Sequence, residues 1–223
     1  MQASRAVLVV VTVVHLVAQL GAPGGAVTEL TQPLLMPALA AVLVTATAAP
    51  RPVLVRIVLV ALFFSWLGDT LPRLVGDDAG FLVMVGCFLL AQVAYVVAFW
   101  PFRVDSLVSR PLLVVPYVGA LVALVVLCRD GAGALLVPVV VYGVALTAMA
   151  VLATGMGRVA GVGGAVFMLS DSLIALRAFA DVDLPVHSFW VMLTYVAGQA
   201  LLVAAVRARA ADTAPAPGLL STT

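Results

Sequence analysis

Two aspartates lie where a carboxylate is costly. Asp69 sits in FFSWLGDTLPRL and Asp171 in GGAVFMLSDSLIALRAF, each within an apolar run of the kind that spans a bilayer. A charge deep in such a span costs on the order of 2.5–3.5 kcal/mol on insertion scales, so it marks a functional site by default. The flanks match. LGDTL (67–71) and LSDSL (169–173) share the pattern Leu–small–Asp–hydroxyl–Leu, and an arginine follows each, Arg73 and Arg177. A purely structural role as an interhelical acceptor returns only about 0.6 kcal/mol on average, well short of the insertion cost. A pair of carboxylates can instead share acid and base work, or relay protons.

Other polar side chains fall within the apolar runs and are candidates to line the same interior: His15, Gln32, Ser65, Gln92, Tyr95, Tyr142, Thr194, Tyr195 and Gln199. Ser65 lies four residues before Asp69, and Tyr195 four before Gln199, so each pair shares a helix face. Taken singly, a Tyr or Gln in a helix bundle is more often a satisfied packing residue than a ligand. His15 reads as core or pore lining, and His187 as a cap at the outer end of the last span. Pro72 has no N–H and clashes with the carbonyl of Gly68, so the helix kinks or ends beside Asp69. Irregular backbone at that depth points to a water-accessible cavity. Gly157-xxx-Gly161 reads as close helix packing rather than phosphate binding.

The absences narrow the chemistry. There is no GxSxG, HExxH or P-loop. Cys87 and Cys128 stand outside any CxxC or Cys/His cluster, so no zinc site is expected. No metal or organic cofactor is expected at all. No basic patch suits nucleic acid.

The elements that must position these residues follow from composition. Hydrophobic residues make up 65% of the 223-residue chain, charged residues 9%, and mean hydropathy is +1.25. No water-soluble domain of this size hides so much apolar surface. A spanning helix needs roughly 20 apolar residues, which allows about eight spans. The runs are continuous rather than alternating, which argues against strands. The expected fold is all-α, a polytopic membrane protein with spans at 5–21, 33–49, 53–71, 79–100, 111–128, 132–154, 159–179 and 187–206. The matched aspartates, four spans apart on helices running the same way, suggest a parallel four-plus-four repeat with the carboxylates at comparable depth. Residues 1–208 form one transmembrane domain. The polar, Pro-rich tail at 209–223 is expected to be a disordered cytoplasmic segment.

The arginines orient this topology. Arg5, Arg51, Arg56, Arg103, Arg110, Arg158, Arg207 and Arg209 fall on the side of the N-terminus, against Arg73, Arg129 and Arg177 on the other. Eight against three accounts for all 11 basic residues. The positive-inside rule then places both termini in the cytoplasm, with the cell membrane as the expected location. Residues 1–26 also carry the layout of a cleavable signal peptide, although His15 and Gln19 interrupt its apolar core.

At this point the residues resemble a known family. FFSWLGDTLPRL, GFLVMVGCFLLAQVAYVVAFWP, VYGVALTAMAV, and above all GGAVFMLSDSLIALRAF followed by MLTYVAGQALL are similar to the YhhN-like lysoplasmalogenases. LTQPLLMPALA at 30–40 resembles the second-span signature, and the likeness runs from about residue 30 to 206. The resemblance implies an eight-span membrane hydrolase. Such an enzyme cleaves the vinyl ether of lysoplasmalogens to a fatty aldehyde and a glycerophospho-ethanolamine or -choline. The family's two intramembrane aspartates map onto Asp69 and Asp171. Two positions depart from the pattern. Gln32 stands where the family usually has Lys, and Gln92 where it often has His, with Tyr95 retained.

Vinyl ethers hydrolyse by protonation of the β-carbon, capture of water by the oxocarbenium ion, and collapse of the hemiacetal. The reaction needs an acid, a negative group near the cation and a base for water. Two carboxylates divide this work when one is protonated and the other ionised. Asp171, the deeper residue, is expected to be the acid. Asp69, nearer the interface and Arg73, is expected to activate water, and the reverse assignment stays open. Tyr95 and Tyr195 are candidate orienting donors. Gln32, Ser65, Gln92 and Gln199 complete the expected substrate-binding set, and Arg73 or Arg177 would hold the lipid phosphate. The expected partners are a lysophospholipid or ether-lipid substrate and the bilayer. The alternative is a proton-coupled small-molecule or lipid transporter, which intramembrane acids and a Pro-kinked helix also suit. A non-catalytic lipid-binding protein is a further rival.

Overall fold

A computed structural model describes residues 1–212, with only the backbone described at Asp77 and Asp78. Among these residues there is no strand, and eight long helices follow one another through short connections. They are α1 (Gln2–Gly21), α2 (Ala26–Thr45), α3 (Val53–Thr70), α4 (Asp77–Phe99), α5 (Pro111–Ala132), α6 (Leu136–Ala153), α7 (Arg158–Phe179) and α8 (His187–Asp212). Helices are the necessary solution here, because each satisfies its own backbone groups where no water can do so. The protein is an integral, polytopic membrane protein.

Seven apolar stretches are long enough to cross a bilayer, but one of them, Pro111–Met156, has 46 residues. At about 1.5 Å per residue it is more than twice the thickness of a hydrocarbon core. It holds both α5 and α6, broken at Gly133, whose φ of +49° lies in the region that favours glycine. The two helices fold back antiparallel. Leu121 lies over Gly143, where an added Cβ would come within 2.5 Å of the leucine methyl.

The helices fall on the expected apolar runs, with α8 running six residues past 206 and the largest departure at α2. The second span was expected to begin at Pro33, yet α2 begins seven residues earlier and carries Pro33 and Pro37 in its interior. A proline inside a helix leaves the carbonyl four residues back without its donor. For Pro33 that carbonyl belongs to Glu29. The Arg73 guanidinium supplies the missing bond, with Nη1 donating to the Glu29 carbonyl at 2.5 Å and lying 3.2 Å from its carboxylate. A side chain from the end of α3 thus repairs the break in α2. The irregular backbone expected at Pro72 is present. α3 ends at Thr70, and a 3₁₀ turn, Leu71–Leu74, carries the proline.

The packing places α8 at the centre. It contacts α1, α2, α3 and α7, and its closest partner is α7. Small residues permit that approach. A Cβ on Gly198 would lie 2.8 Å from the backbone nitrogen of Phe167, and one on Gly163 would lie 3.0 Å from the carbonyl of Gly198. Gly164 makes the same kind of contact with Ala150 of α6. The expected Gly157-xxx-Gly161 contact is therefore corrected. Gly157 precedes α7 with φ +105° and faces open space, so it serves the turn and not the packing.

Across the two halves, α2 packs on α8 and α4 on α6, contacts that are equivalent under a four-helix offset. The aspartates themselves stand differently. Asp69 is the penultimate residue of α3, whereas Asp171 lies two turns before the end of α7. α8 continues to Asp212, past the boundary expected at 208, and the rest of the expected tail, 213–223, lies outside the described residues.

Candidate active site

Asp69 is 6% exposed, and both its oxygens accept hydrogen bonds. Tyr195 of α8 donates to Oδ2 at 2.9 Å, and the Gln32 amide of α2 donates to Oδ1 at 3.2 Å. Gln32 in turn accepts from Arg73 Nη2 at 2.6 Å. The chain of contacts Glu29–Arg73–Gln32–Asp69–Tyr195 ties the carboxylate to a cation through one amide. Gly68 matters beside it. A Cβ there would lie 2.8 Å from the Phe88 ring, so glycine lets that ring pack against the end of α3.

One turn away, a second rung joins the same two helices. Gln199 donates from Nε2 to Ser65 Oγ at 3.1 Å and accepts from Tyr95 at 2.5 Å. The two rungs follow from the expected spacing. Ser65 and Asp69 share a face of α3, Tyr195 and Gln199 share a face of α8, and the helices run antiparallel, so the pairs meet in reverse order. Tyr95 therefore orients Gln199 and does not reach either carboxylate.

Asp171 belongs to a third group. The Tyr142 hydroxyl of α6 donates to Asp171 Oδ2 in a short contact, and no described donor reaches Oδ1. Asp171 and Tyr142 line an apolar cleft between α4, α6 and α7, whose other walls include Phe81, Phe88, Ile174 and Phe179. The cleft encloses about 50 Å³. Gln92 is fully buried beside the Tyr142 hydroxyl. Neither amide atom of Gln92 meets hydrogen-bond geometry with any group. Buried polar atoms without partners are uncommon and call for an explanation.

Asp171 is in the wall of this cleft, whereas Asp69 is in the wall of neither the cleft nor the larger cavity beside it. Phe88 stands between their surroundings, lining the Asp171 cleft and meeting the Tyr195 ring edge-on at 5.7 Å. A larger cavity of about 490 Å³ adjoins the cleft, and Phe81 and Ile174 belong to both. Its walls mix the polar side chains Gln19, Gln32, Arg177, His187 and Ser188 with apolar ones that include Val191 and Met192. Arg177 reaches Ser188 at 3.2 Å and lies 3.6 Å from Asp183. His187 accepts from the Leu184 N–H through Nδ1 at 3.2 Å, and its Nε2 lies 3.1 Å from the Leu173 carbonyl. It pins the turn between α7 and α8.

A family model described as the YhhN family matches residues 27–206. The chain belongs to the YhhN family. The matched segment holds both aspartates and all of the expected substrate-binding residues, and α2 to α8 nearly entire, while His15 lies outside it. No curated protein and no solved structure matches the chain.

Against this geometry, the expected residues sort into an Asp69 group (Gln32, Arg73, Tyr195), a supporting rung (Ser65, Tyr95, Gln199), the unpartnered Gln92, and Arg177 at the cavity rim. Within this YhhN-family fold, Tyr142 holds the acid expected to act first. Its only sequence signal was a hydroxyl in an otherwise apolar span. Glu29 was not among the expected residues. Its signal was an acid four residues before a proline.

Proposed function

We propose that this chain is a membrane-embedded hydrolase of lysoplasmalogen-type lipids, cleaving the vinyl ether by two-carboxylate acid–base chemistry. The observation that carries the reading is the placement of Asp171 at an apolar cleft that adjoins a larger cavity carrying Arg177, Gln19 and Gln32, with Asp69 behind the cavity wall. An ether-linked lysolipid has the same two halves, and its vinyl ether lies at their junction.

In this reading the alkenyl chain enters the apolar cleft and the phosphate lies near Arg177. Arg73 suits that role less well, because both its terminal nitrogens are committed to Glu29 and Gln32. Asp171, which lines the cleft and whose Oδ1 no described donor reaches, gives a proton to the β-carbon. Asp69 supports the oxocarbenium carbon with its negative charge and accepts the proton of the attacking water. Its two oxygens are held in place by Tyr195 and Gln32. The hemiacetal collapses with cleavage of its C–O bond to the glycerol. The alkoxide leaves with a proton, and one water is consumed for each aldehyde and alcohol formed. The cavity lies at the end of the bundle that holds Arg73 and Arg177. With both termini cytoplasmic in the cell membrane, that end faces outward.

The test is aldehyde release by the purified protein in detergent, supplied with a lysoplasmalogen. The matching saturated alkyl ether, which has no double bond to protonate, is the control. Aldehyde from the first and none from the second is the expected result. Proton-driven uptake of solute or lipid into vesicles without any aldehyde would favour a transporter.

A further inference from the structure

α1 lies outside the segment that the family model matches, yet it contributes to the wall of the larger cavity through Gln19. Gln19 is 6% exposed, and its side chain is held by an ordered chain of bonds. Thr31 Oγ1 lies 2.6 Å from the Val27 carbonyl, so its proton is spent there. His15 Nδ1, 2.8 Å from the same oxygen, must then be the donor between the two. In the neutral ring that leaves Nε2 as an acceptor, and it takes the Gln19 amide N–H at 3.2 Å. The amide orientation is therefore set by hydrogen bonding. Gln19 Oε1 is left as a buried acceptor with no partner, on a residue that lines the cavity. A protein rarely holds such an atom so firmly without something to fill it.

We infer that Gln19 is a specificity residue for the lipid head group, accepting a hydrogen bond from a primary ammonium. This rests on the hydrolase reading above. Across the same cavity Arg177 presents a cation suited to phosphate. The pair would read a zwitterion from both ends. An ethanolamine head group carries N–H donors and satisfies Oε1. A choline head group has three methyls on nitrogen, donates nothing, and leaves the oxygen buried and unpaired, a difference a polar site discriminates strongly.

The experiment compares binding of two non-cleavable saturated ether lysolipids that differ only in carrying ethanolamine or choline, by calorimetry in detergent. Wild type, Gln19→Met and Arg177→Met are measured, with aldehyde release from the two vinyl ethers run in parallel. The expected wild-type preference for ethanolamine is about tenfold, near 1.4 kcal/mol. Gln19→Met should bring the ratio close to one, while Arg177→Met weakens both ligands and preserves the ratio. Equal binding of the two head groups by wild type overturns the inference, and this holds even if Gln19→Met fails to fold. Equal weakening of both ligands in Gln19→Met also overturns it, since Oε1 would then read the glycerol hydroxyl they share. Binding preference without aldehyde release would uphold the subsite and reject the hydrolase reading, so the two fail separately.

Discussion

Tyr195 donates to Asp69 Oδ2 at 2.9 Å, joining two residues 126 positions apart in the chain. This bond fixes one rotamer of a carboxylate in the last turn of α3, just before the helix gives way to a 3₁₀ turn. Tyr195→Phe removes the donor and leaves the ring contacts with Phe88 and Phe167 in place. Turnover is expected to fall about 10- to 100-fold, with a stability loss of about 1–3 kcal/mol for the orphaned oxygen. Kinetics and thermal unfolding of the same preparation check both numbers.

Arg73 and Pro33 are expected to be coupled. Arg73→Met strands the Glu29 carbonyl and lowers the melting temperature. Pro33→Ala restores the helical N–H that would satisfy the same carbonyl. In the double variant much of the loss should return, giving a coupling energy in the range of about 0.5–3 kcal/mol seen for interacting neighbours. Simple additivity of the two single effects would show that the carbonyl is satisfied in another way.

Gln92 holds two buried atoms without partners beside the Tyr142–Asp171 pair. An amide with one free donor and one free acceptor suits a water molecule, which the reaction needs. Gln92→Leu is expected to keep or raise the melting temperature, because an unsatisfied buried polar group costs about 1–3 kcal/mol, while turnover drops. A lowered melting temperature with wild-type turnover per folded molecule would make Gln92 a packing residue.

The α7–α8 contact should be intolerant of size. Gly198→Ala places a methyl 2.8 Å from the Phe167 backbone nitrogen and must separate the helices that carry Asp171 and Tyr195. Both stability and turnover are expected to fall. At Gly119, where nothing lies within 4 Å, the same change should be silent. Size-exclusion profiles and activity of the two variants give the comparison.

Much of this was legible in the sequence, for identifiable reasons. Hydropathy marks the helices because lipid allows no other open backbone, and the i,i+4 pairs Ser65/Asp69 and Tyr195/Gln199 signal the two rungs directly. Pro33 misled because proline usually starts a helix. α2 runs through it, and Arg73, 40 residues away, supplies the donor that the Glu29 carbonyl lacks. Tyr142 was one of several isolated hydroxyls, and its pairing with Asp171 depends on how α6 meets α7, which no local pattern encodes. Gly157 carried a packing motif but answers to a backbone angle. The tight contact went to Gly163 and Gly198, on helices whose closeness is a tertiary fact.

The most direct test of the central claim is aldehyde release from a lysoplasmalogen by wild type, Asp69→Asn and Asp171→Asn, each normalised to folded protein. Acid–base groups contribute about 10²–10⁴-fold, so each variant should lose at least about 100-fold while still binding the saturated ether analogue. Near-wild-type release by both variants would contradict the two-carboxylate account.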